Sequence, residues 1–250
     1  MRKAGARRMV ISTALSYLGF IACWGIAQVL PATFGQGWRL FSLLFFYVVS
    51  VSIAGIMAPL YLADQFGFTF HEPVSRRRMF LGVAVLGSTL IVGGSAAALP
   101  MLMQGPPPVE NAVRYFLVLL PIALGICFQS CLLIPRTVET LLDGKLLGIL
   151  TAVLLSALSF GLAFMVDSLF SDIGHALLMT GFGLLFGLAA VLTRSVYLTF
   201  PVMFVVVIAN TAARVQYRED PWGPLVAGFG IFLAALTYAL LSREPRRAVR

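Results

Sequence analysis

SALSFGLAF, Ser156 to Phe164, closes an uncharged run that begins at Leu146, and the reading of that run decides the fold. From Leu146 to Val166 there is no charged residue and no proline, and about 20 apolar residues are what a helix needs to cross the hydrocarbon layer. Gly148, Ala152 and Ser156 recur every fourth residue, so one face of this helix is lined with small side chains that let a neighbouring backbone approach. The stretch therefore predicts a transmembrane helix packed closely against a partner.

Runs of the same kind recur on either side. They fall near 9–31, 40–63, 79–103, 115–135, 146–166, 173–193, 195–213 and 224–241, which predicts an all-α, polytopic transmembrane bundle of about eight spans. Because only Arg194 and Ser195 separate the sixth from the seventh, six or seven spans are also compatible. Over 250 residues the chain is 60% hydrophobic and 11% charged, a composition that excludes a soluble globular domain. The apolar run after Arg8 continues uncharged to Trp38, longer than the core of a signal peptide, so the first segment is expected to stay as an anchor. With eight spans, fourteen of the eighteen basic residues fall on the side of the N-terminus and only Arg39, Arg114, Arg214 and Arg218 on the other. That bias places both termini in the cytoplasm and the chain in the cell's inner (plasma) membrane. A net charge of +8 is then explained by anionic headgroups beside the helix ends, so membrane lipids and not nucleic acid are the expected partners.

No linker long enough to separate a pair of domains occurs, so residues 1–250 are read as one. The loop from Asp64 to Arg78, with Phe66, Phe68 and Phe70 before Arg76 to Arg78, fits either a segment half-inserted in the inner leaflet or a plain loop with a basic run. In the third span Ala84, Ser88, Gly94 and Ala98 are expected to be buried against partners. Gly105 and Pro106 to Pro108 make a stiff outer loop, and Pro121 and Pro135 predict kinks in the fourth span, with helix continuing beyond Pro135 toward Gly144. Gly183 and Gly187 form a GxxxG pair in the sixth span. Cys127 and Cys131 share a helix face; they fit a soft-metal or thiol site, or small residues packing on a neighbour.

From Gly125 to Asn210 the chain resembles the CPBP family, the membrane-embedded CAAX-protease and bacteriocin-processing group of Abi-like intramembrane metalloproteases. SALSFGLAF is similar to the family's Phe-x-x-x-His signature, with Phe160 as its phenylalanine and Phe164 where the histidine should be. GLLFGLAAVLTRS, Gly183 to Ser195, looks like the family's glycine-rich helix, and Pro201, Val206 and Asn210 stand at the spacing of its Pro, His and Asn. In the simplest register Phe128 and Gln129 take the places of the family's Glu pair and Leu133 that of its Arg. The resemblance implies a CPBP-like core over 125–210 with its hydrolytic groups gone, and a cavity between the fourth to seventh spans. Phe128, Gln129, Phe160, Phe164, Val206 and Asn210 mark the degenerate positions.

The inventory of residue types leads the same way in any register. No carboxylate lies between Glu110 and Glu139, no arginine between Arg114 and Arg136, and the only histidines are His71 and His175, on opposite faces of the expected topology. A membrane hydrolase must activate water with a carboxylate base or a metal held by such ligands. No catalytic residue, metal or cofactor is therefore assigned. With no carboxylate expected inside any span, proton- or sodium-coupled transport loses its usual group, and no nucleophile elbow or P-loop is present. Gln129 fits a remnant substrate contact or a bond toward Ser130 or Asn210, and Asn210 a pocket wall or a bond to a nearby carbonyl. His175 beside Asp172 fits a pH sensor or a solvated interfacial residue, and Arg218 to Asp220 with Trp222 a wet outer loop. The expected function is non-catalytic: binding or stabilising a membrane-protein partner or a lipid-like group. The alternative is a small permease or the membrane subunit of a transporter.

Overall fold

The computed structural model describes residues 3–104, 109–142, 145–168 and 173–214. Among them every regular element is helical, and the chain folds as a bundle of membrane-spanning helices. The first span is α1 (Lys3–Phe34). The second joins α2 (Arg39–Leu44), a π-helical segment (Phe45–Met57) and α3 (Ala58–Phe66). The third is α4 (Arg76–Gln104), and the fourth joins α5 (Val109–Cys127), a second π-helical segment (Phe128–Leu133) and α6 (Ile134–Leu141). After these come α7 (Leu146–Ser168), α8 (Ile173–Thr193) and α9 (Val196–Arg214). The first six spans are long and apolar enough to cross a membrane, and α9 is a shorter apolar helix. The expected eighth span, the proline loop, the cap at Gly144, the wet outer loop and the side chain of His175 lie outside the described residues.

Both π-helical segments stop two residues before a proline, Pro59 and Pro135. Proline has no N–H and its ring crowds the carbonyl four residues back, so the ladder ahead of it slips by one residue. The amide of Ala58 accordingly donates to Ile53 O and that of Ile134 to Gln129 O, each five residues back. At Pro135 the expected kink is thus met as a widened turn, and the helix does run on past it.

That continuation corrects one expectation. The fourth span extends to Leu141, so it includes Arg136 and Glu139, both buried, and a carboxylate does sit within a span. Between Phe66 and Arg76 the chain is irregular, as the loop reading has it, but it docks onto the bundle. Phe70 packs on Phe128 and Tyr197 at ring distances of 5.9 and 6.0 Å, and His71 pairs with Ser195 in an isolated antiparallel bridge. This loop docks into the protein because the turn at Arg194 and Ser195 leaves backbone groups that need partners.

Small residues set the closest helix contacts. A Cβ on Gly183 would lie 2.9 Å from Phe160 Cβ and 3.0 Å from Ala157 Cα, and one on Gly187 2.8 Å from Ser156 Cβ, so α8 lies tightly on α7 as the two small-residue patterns predict. On α4 the expected face is wrong. Ala84, Ser88, Gly94 and Ala98 are exposed, and the buried stripe is Gly82, Leu86, Thr89, Gly93 and Ala97. The physical reason is at Gly93, where a Cβ would come within 2.7 Å of both Val206 methyls: its missing side chain admits α9. Large apolar side chains such as Leu18, Phe80, Ile91 and Leu158 face outward, where lipid covers them. Phe20, Trp24, Phe160 and Phe186 fill the centre.

Gly93→Ala is expected to destabilise the folded chain by about 1 to 3 kcal/mol through overpacking, and Val206→Ala in the same chain to restore most of the loss. Thermal unfolding in detergent reads both, with Gly94→Ala, which meets nothing within 4 Å, as the near-neutral comparison.

Candidate functional site

The positions singled out in the sequence are carried by the fourth span, α7 and α9. Phe160 and Phe164, one turn apart on α7, have ring centroids 5.2 Å apart, and Phe160 meets Phe186 of α8 at 5.6 Å. Val206 joins the same buried cluster from α9, and Phe128 packs against it half-buried from the fourth span. Phe164 and Val206 belong to the buried hydrophobic core of the described residues, as do Met179, Phe182, Met203 and Val207. Leu133 is buried as well.

Gln129 and Asn210 are the polar members, and both are 0% exposed. The Gln129 amide donates to Ser16 Oγ at 2.9 Å and to Ala54 O at 3.0 Å, tying the fourth span to the first two; the expected partners near Ser130 and Asn210 are not the ones it uses. Ala54 belongs to the first π-helical segment, and Gln129 to the second. Asn210 donates to Val206 O and to Gly93 O, each at 3.0 Å, so it bonds nearby backbone as one of its two readings has it. The side-chain carbonyls of both, Gln129 Oε1 and Asn210 Oδ1, are buried with no hydrogen-bond partner. Ser130 and Ser159 add a hydroxyl bond of 2.8 Å between the fourth span and α7. Cys127 and Cys131 are buried in the core, and among the described residues no three His, Cys, Asp or Glu side chains stand close enough to hold a metal ion.

A second constellation, five charged side chains, lies at the basic end of the bundle. Arg136 and Glu139, three residues apart on α6, meet Arg194 at the α8–α9 turn, Arg78 in the first turn of α4, and Glu72 from the docked loop. Glu72 Oε2 accepts from Arg136 and Arg194, both at 2.8 Å. Glu139 faces Arg78 at 3.2 Å, Arg194 at 3.1 Å and Arg136 at 3.8 Å. The backbone closes the same knot: the Glu72 amide donates to Arg194 O at 3.0 Å, Arg136 Nη2 donates to that carbonyl at 2.9 Å, and Arg78 Nη2 donates to Val191 O at 2.7 Å. Arg194 has φ +49°, a left-handed conformation unusual outside glycine, asparagine and aspartate, which the surrounding bonds hold in place.

Chemically, these two constellations do different things. Guanidinium groups contact both carboxylates of the charged knot. The core constellation offers only amides, hydroxyls and aromatic rings. The knot's signal is present in the sequence as Arg136 and Glu139 at helical spacing, but other members come from segments 64 and 58 residues away. No protein-family model, curated protein or solved structure matches this chain.

Glu139→Gln leaves Arg136 and Arg194 sharing Glu72 and takes from Arg78 its carboxylate, and breaking a buried ion pair from one side costs about 3 to 5 kcal/mol. Its thermal unfolding midpoint should fall further than that of Glu72→Gln, whose carboxylate is partly exposed. Equal losses would show that burial does not decide the strength of the knot.

Proposed function

We propose that this is a non-catalytic multi-pass protein of the cell's inner (plasma) membrane, with both termini in the cytoplasm. On this reading it is a degenerate CPBP-like scaffold that binds or stabilises a membrane-protein partner or a lipid-like group. One observation carries the reading. The positions matching the family's reactive side chains hold Phe128, Gln129, Phe164 and Val206, all buried except the half-buried Phe128, and the Gln129 amide is engaged by Ser16 and Ala54. Intramembrane hydrolysis needs water at such positions, together with a group that activates it. Inserting a charged ligand at the centre of a span costs about 2.5 to 3.5 kcal/mol, so a chain with no hydrolytic role has reason to replace it with Phe or Val.

A second reading, a small permease or transporter subunit, draws on a different observation. The two π-helical segments lie in adjacent spans, and Gln129, in one of them, donates to Ala54 O in the other while keeping a buried carbonyl unpartnered. Interrupted helices with free polar atoms near mid-membrane are where carriers bind solutes. The carrier reading requires that Gln129 be reached by water in one state.

Reconstituted in liposomes and given prenylated or leader peptides, the native protein should release no product, with or without a chelator. Cleavage abolished by chelator would overturn the proposed function.

A further inference from the structure

We propose that the groove between α1, α6 and α7 seats one acyl chain of an anionic glycerophospholipid whose headgroup is held by Arg7 and Lys145. The seat does not depend on the lack of hydrolysis proposed above, only on the chain spanning a membrane. The groove has a volume of about 470 Å³ and is walled by Val10, Ala14, Tyr17, Val138, Leu155 and Leu162 among others. Small-molecule sites occupy about 300 to 1,000 Å³.

Its polar groups are already bonded. Thr13 and Thr137 share a hydroxyl bond of 3.0 Å, Tyr17 donates to Ser159 O at 2.6 Å, and Thr151 donates to Leu147 O at 2.8 Å. What remains is a hydrocarbon wall, which suits a chain without hydrogen-bonding groups.

The direction of the helices orients that occupant. α1 runs inward from Arg7 and Arg8, α6 ends at Leu141, and α7 begins at Leu146, so Val10 and Leu142 form the basic end of the groove and Tyr17 and Leu162 its deep end. The Lys145 amide donates to Leu142 O at 3.2 Å, which sets that residue at the mouth. Along α7 the lining runs from Thr151 to Leu162; at 1.5 Å per residue that is about 16 Å, roughly half of a 30 Å hydrocarbon layer and so one leaflet. Arg7 and Lys145 are exposed, unlike the guanidiniums engaged by Glu72 and Glu139. Against these two cations the sequence sets one acid within a few residues, Asp143. An apolar slot one leaflet deep with a cationic mouth is complementary to an anionic lipid.

Native mass spectrometry of the full chain in detergent, titrated with palmitoyl-oleoyl phosphatidylglycerol or phosphatidylcholine, tests this. Phosphatidylglycerol should be retained in preference, and Lys145→Gln should weaken its retention about fivefold, the worth of one juxtamembrane cation, while leaving phosphatidylcholine unchanged. Ala14→Trp and Leu158→Trp, both at exposed positions lining the groove, should displace either lipid, and Ile91→Trp on the far surface of α4 should displace neither. Equal retention of the two lipids, or unchanged phosphatidylglycerol binding in both groove variants, would overturn the proposal.

Discussion

Hydrocarbon offers no hydrogen bonds, so backbone groups and charges carried into the membrane need partners inside the chain. The five-residue knot of Arg78, Arg136, Arg194, Glu72 and Glu139 is where this constraint acts hardest. Arg136 and Glu139 are buried at the end of the fourth span, and desolvated charges of that kind are tolerated only when tightly paired. Their pairing draws in the start of α4, the α8–α9 turn and the loop carrying Glu72. Four separate stretches of chain are thereby held at one level. Arg194 can keep its left-handed backbone because its carbonyl accepts from both Glu72 and Arg136.

The same constraint shapes the interior. Hydroxyls donate to carbonyls four residues back on their own helices, as Thr89, Thr180 and Thr193 do, or to one another across helices. The amides of Gln129 and Asn210 reach neighbouring backbone. In each case a donor that a water-filled active site would leave available is already bound. Elsewhere in the buried core Phe160 packs on Phe164 and Phe186. A hydrophobic centre with charge gathered at one end is the distribution on which the proposed function draws.

Much of this frame is legible in the residue pattern. The first seven spans follow from uncharged runs, and the α7–α8 contact from Gly148, Ala152, Ser156, Gly183 and Gly187. The fourth span looks too short in the sequence, because Arg136 reads as a terminus when its partners Glu72 and Arg194 are not in view. The buried face of α4 is ambiguous there because small residues lie on both of its sides, and only the position of Val206 selects Gly93 over Gly94. Prolines signal an irregular helix without telling that the turn will widen. For the candidate site, the residue types at the motif-like positions are readable from the sequence alone. Which neighbours bury them is not, since packing is a property of several helices at once and leaves no period in any one of them.

If the motif-like positions are sealed from water, a thiol placed there is shielded from any reagent that cannot leave the aqueous phase. A cysteine at Phe164 or Val206, in a chain whose Cys23, Cys127 and Cys131 are replaced by alanine, can be challenged with a charged, water-soluble maleimide in intact membranes. No labelling is expected until the protein is denatured. Rapid labelling of the folded protein at either position would reveal an aqueous cavity and refute the sealed core.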